Sequence, residues 1–430
     1  MHSLLSLILY DRTLVNTIYS GFLICGTKLA LFGMATFDYV RGGGGSGEVT
    51  VSYEVNLYEG FKKLEQQVEI CEEVADFYRD YMKSIADTFY WPGQKPEPEL
   101  PNALCASARA YTDTAVISIS RLSGEGWDRD LKGHAVYEEG DFYLSSAEKA
   151  MVEKVKQYFP KIIVVMNVGG MVDTQWFFGD DAIQSVLMAW QGGMEGGMAI
   201  ADILCGDVNP SGKMVDTIAK TYDCYPCKDE FWESFQYIGY SDDIYVGYRY
   251  FETIPGAAER VNYPFGFGLS YTEFAWDILS AEQDGQNIRV AVSVKNTGDV
   301  AGKEVMQVYV SAPQGKLGKP LRNLVAFRKT KVLAPGETET IRFETDPAEW
   351  ASFDDSGVTG NPYCYVLEPG SYELYVGSDV RSAAFVDTWE TDELIVTEKL
   401  ASRAAPVTDF KRIRPQRKYG QMIPVCETVP

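Results

Sequence analysis

Hydrophobic residues change their spacing partway along this chain, and that change limits it to two architectures joined in series. In the first 205 or so residues, short apolar runs alternate with stretches whose apolar residues return every three or four positions, the pattern of strands and amphipathic helices. From Ile288 that spacing vanishes: Ile288, Val290, Val292 and Val294 alternate with polar residues, and a turn at 296–298 precedes another run at 305–310. Similar runs at 339–343 and 371–376 are set off by Pro335-Gly336 and Pro369-Gly370. The first half reads as a doubly wound α/β layer sandwich with helices on both faces, and the second as an immunoglobulin-like antiparallel β-sandwich.

Within the α/β half, strands are expected at 28–32, 113–120, 162–168 and 185–190, with a helix at 199–204 closed by Gly206. The spacing of Leu57, Phe61, Leu64, Val68, Cys71, Val74, Phe77, Tyr78 and Met82 predicts a long amphipathic helix or a helix pair. Ser145 and Glu148 have capping-box spacing, so a helix should start there and end before Pro160. The Pro-rich stretch 91–101 is a connector, and 216–276, aromatic and turn-rich, reads as an extended segment wrapped over the first domain.

The stretch that concentrates chemistry is ISISRLSGEGWDR at 117–129, where an apolar strand breaks into a Gly-flanked loop holding Glu125. Loops at the carboxyl ends of parallel strands line the ligand crevice of open α/β sheets. Trp127 adds an aromatic face, while Asp128 and Arg129 bring charges that can orient Glu125 or shift its pKa. The plainer reading is a solvated acidic turn. A second loop, RGGGGSGE at 41–48, has no Lys-Ser or Lys-Thr after its glycines and so is not a phosphate loop. It reads either as a surface linker or as a close-approach backbone from which Ser46 donates to a ligand hydroxyl.

The net charge of −22, from 61 acids against 39 bases, excludes a nucleic-acid partner and favours a neutral or cationic ligand. Cys224-Tyr-Pro-Cys227 is a lone C-x-x-C; with His2 and His134 the only histidines, it has no second pair of zinc ligands, and neither metal nor cofactor is expected. The apolar segment 3–10 is too short to span a bilayer and lacks the charged start of a secretory signal, and scattered cysteines suit a reducing compartment. A cytoplasmic protein with no membrane partner is the expectation.

Eight segments in order, at 42–47, 123–129 (SGEGWDR), 140–144 (GDFYL), 189–197 (AWQG through EGG), 201–202 (AD), 209–213 (NPSGK), 244–250 (IYVGYRY) and 264–271 (PFGFGLSY), resemble glycoside hydrolase family 3, the β-glucosidase family. The resemblance runs from about Lys28 to about Arg381. It implies retaining hydrolysis of terminal β-D-glycosides, with Glu125 as acid/base residue and Ser46, Trp127 and Arg129 as substrate-binding residues. It also implies domains at 21–215 (α/β sandwich), 216–280 (wrapping segment) and 281–398 (fibronectin type III-like), with an unmatched segment at 1–20 and a linker-like tail at 399–430. In this family the nucleophile belongs to a TIM barrel, and no region here is large enough to form one. Some members resemble a circular permutation with the barrel last, so the expectation is the front half of such an enzyme, needing a barrel in cis or trans. Met214-Val215 replaces the usual Leu-Pro after the NPSGK segment. The alternatives are a non-catalytic module that binds carbohydrate or a subunit, or an inactive fragment; a nucleotide-binding domain is disfavoured because the dinucleotide Gly spacing is lacking.

Overall fold

The computed structural model describes residues 6–9, 27–64, 67–91, 93–127, 129, 137–230, 234, 236–284, 287–403, 408–418 and 421–429. His134 and Asp128 lie outside them, as do residues 1–5 and 10–20 of the unmatched start. The chain forms two compact units, Met1–Lys213 with Gly268–Thr272, and Met214–Phe267 with Glu273–Pro430. Among the described residues no helix is long and apolar enough to cross a membrane.

The first unit runs β1 (Ser6–Leu9), β2 (Thr27–Phe32), α1 (Leu57–Lys63), β3 (Val68–Ile70), α2 (Glu72–Ser84), α3 (Asn102–Tyr111), β4 (Thr114–Arg121), α4 (Ser146–Tyr158), β5 (Lys161–Val168), β6 (Ile183–Met188) and α5 (Gly196–Leu204). Its sheet has the order β1-β6-β5-β4-β2-β3. Strands β2 to β6 pair in parallel, and β1 joins the β6 edge antiparallel. Residues 115–121 and 162–168 are buried throughout, the near-continuous burial of parallel strands covered on both faces. This is the α/β layer expected from the sequence, with β1, α3 and β3 as elements that its spacing did not announce. Val68–Ile70, placed by spacing on a helix, is an edge strand with Val68 and Ile70 buried and Glu69 exposed, and it separates α1 from α2. Three residues of alternation are too few to register against a helical stripe on either side.

Chain order and sheet order together locate a crevice. From β2 the chain steps to β3 on one side, then crosses to β4 on the other. Connections therefore diverge between β2 and β4, and the loops leaving the carboxyl ends of those two strands border the gap where open α/β sheets bind ligands.

In the second unit β7 (Ile218–Ala219) and β8 (Val261–Tyr263) pair antiparallel around the short helix α6 (Tyr248–Phe251). There follow β9 (Phe274–Asp284), β10 (Asn287–Asn296), β11 (Val305–Ser311), β12 (Asn323–Lys329), β13 (Thr338–Thr345), β14 (Ser352–Asp354), β15 (Cys364–Leu367), β16 (Gly370–Gly377), β17 (Ala384–Thr391) and β18 (Ile395–Lys399). Sheets β13-β10-β9 and β12-β11-β16-β17 enclose a core in which Val290, Val292, Val294, Ile341 and Phe343 of one sheet meet Met306, Val308, Val310 and Leu374 of the other. β14-β15-β18 is a further small sheet. Part of the 216–276 region has its own cluster, in which Ala219, Tyr245, Tyr250 and Phe251 gather with Ile413, and Cys224 and Cys227 pack against it. The tail, expected to be linker-like, forms a hairpin of β19 (Phe410–Lys418) and β20 (Gln421–Val429). Arg412 of β19 pairs with Asp243 and Asp355.

Candidate active site at the β2–β4 switch

The two loops bordering the gap touch. Gly44, beyond β2, forms a parallel bridge with Gly124, beyond β4. A Cβ on Gly124 would lie 2.4 Å from Gly44 N, so only glycine lets the backbones approach this closely. Gly45 has φ +67°, and a Cβ there would come within 2.8 Å of Glu125 Cβ.

That crossing brings Ser46 onto Glu125. The Ser46 N–H donates to Glu125 Oε2 at 2.9 Å, and the Ser46 hydroxyl donates to the same oxygen. Glu125 is exposed. The Ser46 hydroxyl, and then its N–H, hold the Glu125 carboxyl below its usual pKa, because both bonds favour the anion. The general acid implied by the family resemblance needs the opposite shift. The sequence could not reveal this, since the residue responsible lies 79 positions away.

Trp127 is half-buried, with its N–H donating to the Gly124 carbonyl at 3.0 Å. Its ring lies 5.8 Å from that of Trp91, which in turn meets Phe89 edge-on at 5.3 Å. Phe89 and Trp91 are exposed, so the connector expected to be a mere return of the chain contributes aromatic surface beside the Glu125 loop. Trp91 also lines a cleft of about 260 Å³ together with Gly43, Gly44, Val49, Leu122 and Met194. The glycine signal in the sequence found the loops; nothing in it paired these aromatics.

Arg129 is held at the base of the loop. Its guanidinium donates to the Leu122 carbonyl at 2.9 Å and to Asp141 Oδ2, and its side chain is only 11% exposed. These contacts brace the base of the loop. Beside it, fully buried Arg121 closes the end of β4 with a bidentate pair to Glu148 at 2.7 and 2.8 Å and with bonds to the Asp141 and Tyr143 carbonyls. The GDFYL segment is therefore a cradle for two arginines. Glu148 serves twice, since its Oε2 also accepts the Ser145 N–H at 2.8 Å in the capping box of α4.

The Ser46 loop is held from the opposite side. Asn167, buried at the end of β5, accepts the Val40 N–H at 2.7 Å and donates to the Val40 and Trp190 carbonyls at 2.9 and 2.7 Å. Gly192 N–H donates to Tyr39 Oη and Gly193 N–H to the Arg41 carbonyl. Burial pushes the Tyr39 phenol up to about 12. The WQGG stretch thus anchors residues 39–41, from which the glycine loop springs.

Comparison with known proteins gives the family. The model of the glycosyl hydrolase family 3 C-terminal domain matches residues 25–271, and that of the fibronectin type III-like domain matches 304–380. Beta-glucosidase A of Butyrivibrio fibrisolvens is 46% identical over 429 residues, covering 92% of this chain and 52% of its own length. A beta-glucosidase of Ruminococcus albus is 40% identical over 89% of the chain and 40% of its own length. Among solved structures, a beta-glucosidase from Paenibacillus barengoltzii superposes with a TM-score of 0.89 at 37% identity, covering 99% of this chain and 47% of that one. Beta-glucosidase 3B from Thermotoga neapolitana, in complex with glucose, gives 0.77 at 36% identity, covering 91% of this chain and 53% of that one. The chain spans about half the length of these relatives. With a parallel sheet whose loops meet at the switch point, a β-sandwich after it, and a family model spanning residues 25–271 of 430, the chain belongs to glycosyl hydrolase family 3.

Proposed function

We propose that this chain carries the acid/base part of a retaining β-glucosidase, with Glu125 protonating the oxygen that leaves the anomeric carbon of a terminal β-D-glucoside. The names of the relatives support the substrate class, and the meeting of Ser46 with Glu125 at the switch point supports the residue. A retaining mechanism needs a second carboxylate about 5–5.5 Å away as nucleophile. In this reading a TIM-barrel domain, in cis or in trans, supplies it along with the groups that read the sugar hydroxyls.

The lowered pKa of Glu125 belongs to an open, watered loop. A barrel lying over that loop would exclude water and raise the pKa, so that closing the site and loading the proton coincide. Ser46 then holds Oε2 while Oε1 transfers the proton as the glycosidic C–O bond breaks and the nucleophile takes the anomeric carbon. In the second step the Glu125 carboxylate takes a proton from the water that releases the sugar. Trp127 and Trp91 offer apolar faces to the leaving group. Arg129 acts as a brace.

The test is Glu125→Gln in the chain combined with a barrel half. On an aryl β-glucoside with a poor leaving group the rate should fall on the order of 10²-fold or more, with a smaller loss in glycosylation from an activated leaving group. An unchanged rate on the poor leaving group would refute the assignment. The exposed, anionic state of Glu125 favours a second reading, a module that binds carbohydrate without cleaving it. Saturable heat with cellobiose on the chain alone, and no turnover with a barrel present, would select that reading.

A further inference from the structure

The connector that carries Trp91 is fastened along its length. Gln94 N–H donates to the Trp91 carbonyl at 3.0 Å, closing a turn that begins at the tryptophan. Within that turn Gly93, at φ +74°, donates its N–H to Asp38 Oδ2 at 2.9 Å, and its carbonyl accepts the buried Tyr137 hydroxyl at 2.7 Å. A Cβ on Gly93 would lie 2.6 Å from Val40 Cγ2, so only glycine lets the turn come this close to residues 38–40. Lys95 donates to Asp38 Oδ1, and Glu97 accepts the Met34 N–H at 2.8 Å.

Asp38 is the joint of this arrangement. Its side chain is 10% exposed, and each of its oxygens takes a charge-assisted bond from the connector, one from a backbone N–H and one from an ammonium. Such pairs contribute little on an open surface, but burial here shields both bonds from water and salt. Asp38 also belongs to the stretch between β2 and the glycine loop, from which Ser46 reaches Glu125. Serine and tryptophan therefore hang from one segment, and the carboxylate sets where the tryptophan lies. Trp91 needs that hold, because it is 42% exposed and its described ring neighbours are Trp127 and Phe89. The planes of Trp91 and Trp127 meet at 57° and leave an open corner, which a flat aromatic group fills by stacking on one ring against the edge of the other.

We propose that Asp38 is a positioning residue for the leaving-group side of the site: through Gly93 and Lys95 it fixes Trp91 beside Trp127, and the corner so formed receives an aryl leaving group. The leaving-group role rests on the β-glucosidase reading; the placement of Trp91 does not. Two measurements separate them. In the full chain alone, near-ultraviolet circular dichroism reports the coupled indoles, and the difference on Trp91→Phe defines their band. Asp38→Ala should lose most of that band with its far-ultraviolet spectrum unchanged. In the chain combined with a barrel half, Asp38→Ala should lower kcat/KM for phenyl β-D-glucoside on the order of tenfold, through KM, while methyl β-D-glucoside changes by less than about twofold. A merely structural pair would lower both substrates alike. The proposal is overturned by an unchanged indole band or by equal effects on the two glucosides. Absence of turnover before any substitution, with the band still lost in Asp38→Ala, would overturn the β-glucosidase reading and the aryl role with it, and keep Asp38 as the residue that places Trp91. Should Asp38→Ala fail to fold, Asp38→Asn decides: it keeps an acceptor for the Gly93 N–H but loses the Lys95 pair, and its losses should be smaller and fall on the same band and the same substrate.

Discussion

At the scale of single residues, the informative feature is how differently two carboxylates are treated. Glu125 sits in water and is held ionised by Ser46, whereas Glu97 is buried and pushed up to about 8 by loss of solvent. Tyr78 O–H and Met34 N–H donate to Glu97 at 2.5 and 2.8 Å and offset only part of that cost. The native state thus keeps a proton that the unfolded chain releases near its usual pKa of 4.5. The stability this confers is complete below that value and is lost as pH rises toward 8. Glu97→Gln, which cannot ionise, should flatten the decline, and denaturant titrations at pH 5, 7 and 9 would measure it; an identical pH slope in the variant counts against this account. Glu125 was legible because glycines flank it. Glu97 was not, because nothing in Pro96-Glu97-Pro98 announces a buried acid.

At the scale of elements, α4 shows how one side chain can be read correctly and still be underestimated. The Ser145–Glu148 spacing announced the helix start, and both reciprocal bonds of the capping box are present. What spacing could not disclose is that the same Glu148 neutralises buried Arg121 at the end of β4. Ser145→Ala removes a cap alone and should cost about 1 kcal/mol. Glu148→Ala also strands a buried guanidinium and should cost on the order of 3–5 kcal/mol. Chemical denaturation distinguishes the two, and equal losses would mean that the ion pair contributes nothing beyond the cap. The 57–82 region teaches the converse lesson. Its apolar spacing was right about burial, but spacing alone could not show that Val68–Ile70 leaves the helical path to extend the sheet beside β2.

At the scale of the whole molecule, the change from helical to alternating spacing foretold a parallel sheet followed by a β-sandwich, and the glycine motifs marked the two loops of the site without showing that they meet. The partners brought in by long-range packing, Trp91 for Trp127 and Asp141 for Arg129, were invisible because each is set by topology and not by neighbours in sequence. Net charge is a property of the entire chain, and −22 implies self-repulsion in the folded state. Sodium chloride added at pH 7 should raise the thermal midpoint by a few degrees, with the gain shrinking as pH falls toward the carboxylate range; scanning fluorimetry checks both, and a midpoint indifferent to salt would contradict it. Finally, because both bonds that acidify Glu125 come from one serine on the opposite loop, the proton affinity of that carboxylate is a gauge of the spacing between two peptide segments. Anything that pries the glycine crossing apart, even slightly, is written into a titration curve, and anything that clamps it shut can be followed by the same signal without a substrate present.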